Sequence, residues 1–179
     1  MLKVVPDSSF YICFLDDIEK PEYLILLLQE ESFCYITGRI VKEEISKSKN
    51  YHKVKDIIES STTEFEYYNY GEILRPFFSI RELKKGEHEV IVISYIFYNL
   101  GLPFTAIIDE NGPRRFVKMN FPWLYPFFTG TVGFLKKCCC EYHVLTKERV
   151  INILDMIGKS KFRIRKEILN KVRNEVLRC

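Results

Sequence analysis

Short apolar runs alternate along the chain with longer segments whose apolar residues recur at helical spacing. The runs at 2–6, 33–37 and 104–108 are bounded by turn residues and predict buried strands. Helices are predicted at 10–15, 19–29, 40–45, 51–60, 72–83, 90–100, 130–140, 146–157 and 162–177, with a further helix starting at 114–118. This alternation predicts a three-layer α/β/α domain with a central, mostly parallel sheet.

Three stretches give weaker patterns. Residues 60–70 are polar and aromatic, which predicts a loop or an irregular strand, and residues 123–128 form an aromatic connector or strand. Asn111-Gly112-Pro113 has the composition of a turn. Pro76 interrupts the helix predicted at 72–83.

One uncharged stretch raises the question of a membrane span. Residues 90–108 carry no charge over 19 positions, which is long enough to cross a bilayer. However, Asn99, Gly101 and Pro103 form a helix stop followed by a turn. A buried helix, a tight turn and a buried strand explain the stretch better, so no membrane partner is expected.

Composition describes an ordinary globular chain. Of 179 residues, 47% are apolar and 15% aromatic, and the net charge is +3. These values exclude a disordered tail, a strongly acidic protein and a histone-like polycation. The length fits a single domain over 1–179, with 146–179 forming C-terminal helices.

The six cysteines are not spaced like a secreted disulfide framework. Cys138, Cys139 and Cys140 are consecutive, and the first residues lack the long apolar segment of a signal peptide. A reducing, cytoplasmic location is therefore expected. His143 nearby raises the possibility of zinc, but consecutive helix positions point about 100° apart. Buried, reduced cysteines are the favoured interpretation.

Acidic residues fall where a parallel sheet binds ligands. Asp7 and Asp109 each close a predicted strand, Glu44 follows the second strand, and Glu87 opens a helix. Ligands of open parallel sheets bind at the carboxyl ends of the strands, so these four side chains are expected to converge there. Their mutual repulsion would be relieved by Mg²⁺ or Mn²⁺, and such a site can hydrolyse phosphodiesters.

Each of these acids also has a purely structural interpretation. Asp7 could cap the following helix, and Glu44 could be a solvated helix carboxylate. Glu87 could complement a helix dipole, and Asp109 could belong to a turn. Only their shared placement at strand ends and helix starts favours a site.

Several segments resemble the PIN domain, the nuclease fold of the VapC toxins of toxin–antitoxin pairs. The opening strand is followed by Asp7 and Ser9, and the segment at 40–45 carries Glu44. The other similar segments are the Gly-Glu-x-Glu at 86–89, the apolar run, acid pair and Arg at 107–115, the Gly-Thr-x-Gly at 130–133 and the closing segment at 161–164.

The resemblance implies a Mg²⁺- or Mn²⁺-dependent endoribonuclease that acts on single-stranded RNA. Its metal and catalytic acids would be Asp7, Glu44, Glu87 and Asp109, with Glu110 as the alternative to Asp109. Ser9 and Thr131 would orient these carboxylates through hydrogen bonds. A homodimer and an antitoxin partner are implied as well.

Basic residues offer candidates for RNA contact. Arg114 and Arg115 lie beside the proposed site, and guanidinium groups suit phosphate oxygens. Residues 159–179 carry eight basic and two acidic side chains, for which a solvated helix face is favoured over phosphate binding.

Two alternatives to a toxin nuclease remain open. Residues 46–84 are longer than a minimal toxin needs, and Pro6 predicts a strand edge or the end of a ladder. The chain could therefore be a divergent PIN protein outside any toxin–antitoxin pair, or a catalytically inactive PIN-like module that binds RNA or a protein. A nucleotide-binding α/β module fits less well, because no Gly-rich phosphate loop is present.

Overall fold

A five-stranded, all-parallel sheet forms the centre of the protein. The computed structural model describes residues 1–65, Pro76 and 85–179, so the helix predicted at 72–83 lies outside the described residues except for Pro76. The strands are β1 (Leu2–Pro6), β2 (Phe33–Gly38), β3 (Thr62–Phe65), β4 (Phe104–Ile107) and β5 (Phe128–Thr129). Their order across the sheet is β3-β2-β1-β4-β5.

Helices fill the segments between and after the strands. They are α1 (Ser8–Ile12), α2 (Pro21–Leu28), α3 (Arg39–Ile45), α4 (Lys55–Ser61), α5 (Gly86–Asn99), α6 (Asn111–Asn120), α7 (Thr131–Cys140), α8 (Lys147–Lys159) and α9 (Lys166–Arg178). A π-helical turn at Cys13–Asp17 extends α1, and 3₁₀ turns occur at Tyr51–Lys53 and Tyr125–Phe127.

The helices cover both faces of the sheet, which gives the three layers expected from the sequence. On one face, Phe97 of α5 lies 6.2 Å from Phe104 of β4 between ring centroids. On the other face, Phe10 of α1 stacks on Tyr35 of β2 at 6.2 Å and meets Phe134 of α7 at 6.0 Å. Successive strand residues point to opposite faces, so the strand pattern itself creates these two aromatic layers.

Three predicted element boundaries differ clearly from the structure, and one of them is the start of α5, which lies at Gly86 instead of residue 90. The last helix was expected from 162, but α9 begins at Lys166, and the preceding segment at 161–165 is not helical. Asn111-Gly112-Pro113 forms the first turn of α6 rather than a separate turn. Pro113 is tolerated there because the first N–H groups of a helix have no partner within the helix.

The weaker patterns resolve into short elements. Within 60–70, the described residues end α4 and form β3, and residues 66–70 lie outside the described part. Residues 123–128 contain a 3₁₀ turn and the start of β5. Pro6 is the last residue of the central strand β1, at the end of its ladder.

The expectation that Cys138, Cys139 and Cys140 are buried and reduced is wrong for Cys140. Cys140 at the end of α7 forms a disulfide with Cys179, 39 residues later. Cys13, Cys138 and Cys139 are buried thiols, as expected, and Cys34 is a half-buried thiol. Local spacing could not reveal the pair, because the partner of Cys140 arrives only when α9 packs against α7.

No helix in the described ranges is long and apolar enough to cross a membrane. The uncharged stretch at 90–108 instead supplies most of α5, a tight turn with Gly101 at φ 65°, and β4.

A buried carboxylate from α5 caps the start of α3. Glu89 is only 3% exposed, and its oxygens accept hydrogen bonds from the Ile40 and Val41 N–H groups at 3.2 and 3.0 Å. Gly38 makes room for this contact, because a Cβ there would lie 1.9 Å from the Glu89 carboxyl carbon. Two consecutive elements, β2 and α3, are therefore fixed to α5 by one side chain.

We expect Gly38→Ala to destabilise the protein by about 1–3 kcal/mol, as overpacking and the loss of a cap do. The backbone of Gly38 has φ −80°, which alanine adopts freely, so the whole effect comes from displacing Glu89. Urea unfolding monitored by circular dichroism measures it. Gly112→Ala is the matched control, since a Cβ there meets nothing within 4 Å. Equal stability of the two variants would contradict this role for Glu89.

Candidate functional site

The strand order reverses between β1 and β4, and this is where the candidate site lies. From β1 the chain proceeds outward through β2 to β3, and it then returns to the other side of β1 for β4 and β5. At such a reversal the connections leave in opposite directions and open a crevice at the carboxyl edge. Asp7 follows the end of β1, and Asp109 lies two residues after β4.

A single hydroxyl joins these two carboxylates. Ser9 Oγ lies 2.6 Å from Asp7 Oδ1 and 3.0 Å from Asp109 Oδ2. Asp7 is 4% exposed and is also the N-cap of α1, since Phe10 N–H donates to its Oδ1 at 3.2 Å. The Asp7 side chain therefore caps α1 and also belongs to the acidic site, so the two interpretations are compatible.

Thr131 fixes the orientation of Asp109. Its backbone N–H donates to Asp109 Oδ1 at 2.8 Å, and its hydroxyl donates to Oδ2 at 2.6 Å. Thr131 is fully buried at the first position of α7. Gly130 before it permits the approach, because a Cβ there would lie 2.8 Å from Asp109 Oδ1.

The two glutamates predicted for the site lie further along the same edge. Glu44, near the end of α3, accepts a hydrogen bond from the Gly86 N–H at the start of α5 at 3.3 Å. The side chain of Glu87 is 15% exposed and lies 4.0 Å from the Lys85 ammonium. Glu110 is exposed at the N-cap of α6, so it is Asp109 that points into the crevice with Asp7.

Burial raises the pKa values of three acids of the crevice, and neighbouring acids raise two of them further. Burial raises the pKa of Asp7 well above its usual range, and repulsion by Asp109 raises it further. Burial also raises the pKa of Asp109, against the hydrogen bonds from Thr131 that lower it. The pKa of Glu87 is raised by burial and by the charge of Glu110. Buried, mutually repelling carboxylates at a cleft are typical of functional sites.

The four predicted acids are not equally close. In the described part of the chain, no three acidic side chains have oxygens all within 4.8 Å of one another. Asp7 and Asp109 form the tight pair, and Glu87 acts on Asp7 through its charge. Glu44 uses one oxygen at a helix N-terminus.

Basic side chains lie beside Asp109, the more exposed member of the acidic pair. One cavity of about 240 Å³ is lined by Asp109, Arg114, Arg163 and Arg165 among others. Arg114 Nε is buried and has no hydrogen-bond partner within the described residues. Arg115, the second predicted RNA contact, is exposed on α6.

A second cavity adjoins the first beside these basic side chains. It has a volume of about 600 Å³ and is lined by Ser9, Glu110, Lys161 and Arg163 among others. The segment from 161 to 165 therefore lines both cavities with basic side chains. The sequence favoured a solvated helix face for this stretch, and the difference arises because these residues precede α9 instead of belonging to it.

Comparison of the chain with protein-family models, with curated proteins and with solved structures finds no match. The chemistry of the crevice must therefore be inferred from its own residues.

We expect Asp7→Asn to stabilise the protein at pH 7 when divalent cations are chelated. A carboxyl whose pKa is raised on folding destabilises the folded state at every pH above its ordinary value of about 3.9. Because the raised pKa reflects the cost of burying the charged form of Asp7, we expect the substitution to increase the free energy of unfolding. Asparagine keeps the N-cap, because its Oδ1 accepts as aspartate does.

Urea unfolding in EDTA from pH 7.5 to 4 measures this effect. The advantage of Asp7→Asn should shrink once the pH falls below the raised pKa of Asp7 in the folded state, and it should vanish near pH 4, where Asp7 of the unfolded chain also becomes protonated. Asp56→Asn, an exposed aspartate on α4, is the matched control and should change stability by less than about 0.5 kcal/mol at any pH. An Asp7→Asn variant that is less stable than wild type at pH 7 would show that the crevice is not electrostatically strained.

Proposed function

We propose that this protein is a metal-dependent ribonuclease of the PIN type that hydrolyses phosphodiester bonds of single-stranded RNA. The observation that carries the proposal is the close pair of carboxylates at the strand-order reversal, formed by the buried Asp7 and the half-buried Asp109. Such a pair is costly to bury as charges without a counter-ion. The reaction class and the substrate come from the resemblance of the motifs around these residues to the PIN domain.

The donor chemistry of the crevice fits a hard divalent cation. All the candidate ligand atoms are carboxylate oxygens, which Mg²⁺ and Mn²⁺ prefer. Asp7 and Asp109 would hold the ion, and Glu87 would be the third acid. Glu44 and Glu110 would lie at the edge of the site. Each of these carboxylates would bind the ion directly or through a water molecule. When bound, the ion supplies Lewis-acid stabilisation of the negative charge that develops on the phosphate.

Other residues of the crevice would position the two aspartates and contact the phosphates of the RNA. Ser9 and Thr131 hold the two aspartates in position through hydrogen bonds. Arg114 lines the adjoining cavity, and its guanidinium group is suited to contact a phosphate oxygen there. Lys161 and Arg163 extend this basic surface, along which further phosphates of a strand could lie.

The proposal extends to a biological setting through the same resemblance. The nuclease would act in the cytoplasm as a homodimer and as the toxin of a toxin–antitoxin pair. A small reading frame adjacent to its gene would encode the antitoxin.

A second candidate is a PIN-like module that binds RNA or a protein without cleaving. The distances between the acids favour this candidate, since the carboxylate of Glu44 accepts a hydrogen bond at the start of α5 instead of lying beside Asp7 and Asp109. Both candidates share the fold, and they differ in whether a cation assembles the acids.

We expect Mn²⁺ to stabilise the wild type and to support cleavage of single-stranded RNA. A ligand at a hundred times its Kd stabilises the folded state by about 2.7 kcal/mol. Asp7→Asn should lose both the stabilisation and the cleavage, because it removes a ligand charge from the buried pair. Thermal unfolding with and without Mn²⁺, together with a fluorescent RNA cleavage assay, measures the two effects.

Asp56→Asn serves again as the control and should behave as the wild type in both assays. Stabilisation by Mn²⁺ that Asp7→Asn abolishes, without cleavage of any RNA, would favour the inactive module. Undiminished cleavage by Asp7→Asn would refute the proposed site.

We expect Thr131→Val to lower the cleavage rate by about 10–100-fold while the protein stays folded. The substitution keeps the shape and the backbone N–H bond to Asp109 but removes the hydroxyl bond at 2.6 Å. Loss of a partner that orients a metal ligand costs about this factor. The assay is single-turnover cleavage at saturating Mn²⁺, and Thr105→Val, a buried threonine of β4 that lines neither cavity, is the control. Equal rates for both variants would argue against an orienting role for Thr131.

A further inference from the structure

Three sulfur atoms meet at the end of α7 opposite to Thr131. Cys139 and Cys140 end α7, and Cys179 follows α9. Their Sγ atoms all lie within 4.8 Å of one another. Cys139 is buried, Cys140 is half-buried and Cys179 is exposed, so the cluster reaches from the core to the surface.

The packing of the two helices holds the cluster together independently of the disulfide. Lys136 of α7 donates to Glu175 of α9 at 2.9 Å, about one helical turn before the cysteines on each helix. Val176 of α9 is fully buried. Neither contact involves the Cys140–Cys179 bond, so both remain available to hold the ends of the two helices together once that bond is reduced.

An open cleft of about 300 Å³ adjoins the sulfurs. Cys139, Cys140, Cys179, His143 and Lys147 are among the residues that line it. The cleft gives a metal ion a route of entry and leaves room for a fourth ligand, either water or the imidazole of His143 after a change of rotamer.

We propose that the reduced protein binds one thiophilic divalent ion, of which Zn²⁺ is the prototype, through Cys139, Cys140 and Cys179. Reduction precedes binding: a dithiol gives two electrons and two protons to the Cys140–Cys179 bond, which becomes two thiols, and the dithiol closes to its own disulfide. Binding then releases the thiol protons, because the ligands are thiolates.

Charge and ligand type both favour such an ion over a hard one. Thiolates select Zn²⁺ and similar soft ions, whereas Mg²⁺ and Mn²⁺ prefer oxygen. Three thiolates and one divalent ion leave a net charge of −1, which the Lys147 ammonium on the cleft wall offsets. The sulfur cluster and the carboxylate pair would therefore bind different classes of metal ion.

A Co²⁺ titration of the full chain, reduced with a phosphine under anaerobic conditions, tests the proposal. A phosphine is chosen because a dithiol would itself bind the metal. The sulfur-to-cobalt charge-transfer absorption reports thiolate ligation alone, so an ion held by carboxylates does not contribute. We expect one equivalent of Co²⁺ to produce this absorption and Zn²⁺ to displace it.

Cys139→Ser and Cys179→Ser should each weaken Zn²⁺ binding by more than roughly 100-fold, since even the loss of an outer partner costs about 10–100-fold. A competing chromophoric chelator measures the affinity. Cys138→Ala, the adjacent thiol outside the cluster, and Cys34→Ser on β2 are the matched controls and should bind as the wild type does. Circular dichroism checks that each variant is folded.

Two results would overturn the proposal. One is the absence of charge-transfer absorption in the fully reduced wild type. The other is an equal loss of affinity in Cys138→Ala and Cys139→Ser, which would show that the effect is not specific to the three clustered sulfurs.

Discussion

The burial of two like-charged carboxylates in one crevice is the constraint around which the carboxyl edge of this protein is organised. Asp7 and Asp109 come from neighbouring parallel strands, and their proximity follows from the reversal of strand order between β1 and β4. Their repulsion is opposed by hydrogen bonds from Ser9, Thr131 and the start of α1. These bonds orient the two carboxylates, and the positive charge of Arg114 further lowers the pKa of Asp109.

Two glutamates at the same edge of the sheet accept hydrogen bonds from helix N-termini. Glu89 uses both oxygens to cap α3, and Glu44 of α3 accepts from the first N–H of α5. The two helices therefore cap one another, and this reciprocal contact fixes Glu87, which α5 carries between the two capping positions. Capping and ligand binding use the same residue type, because both require a carboxylate beside unpaired donors or cations.

Sequence alone could predict what depends on local pattern. The strands β1, β2 and β4, the long buried helix α5 and the placement of Asp7 and Asp109 all follow from apolar runs and from the residues that end them. The cap made by Glu89, the pairing of Cys140 with Cys179 and the basic wall at 161–165 could not be predicted. Each depends on which distant elements pack together, and a residue such as Glu89 differs from any solvated helix glutamate only through that packing.

The C-terminal segment runs from the cavity beside Asp109 to the sulfur cluster. Residues 161–165 line the cavity beside Asp109, and α9 then returns to end at Cys179 beside α7. Because Thr131, the anchor of Asp109, begins α7 and Cys140 ends it, the same helix spans from the acidic crevice to the sulfur cluster. Any bond between Cys179 and the end of α7, whether a disulfide or a shared ion, restrains α9 and with it the basic wall. The basic residues at 161–165 are therefore linked through α9 to a cluster of sulfur atoms. That cluster binds soft ions, whereas the carboxylates of the crevice suit hard cations.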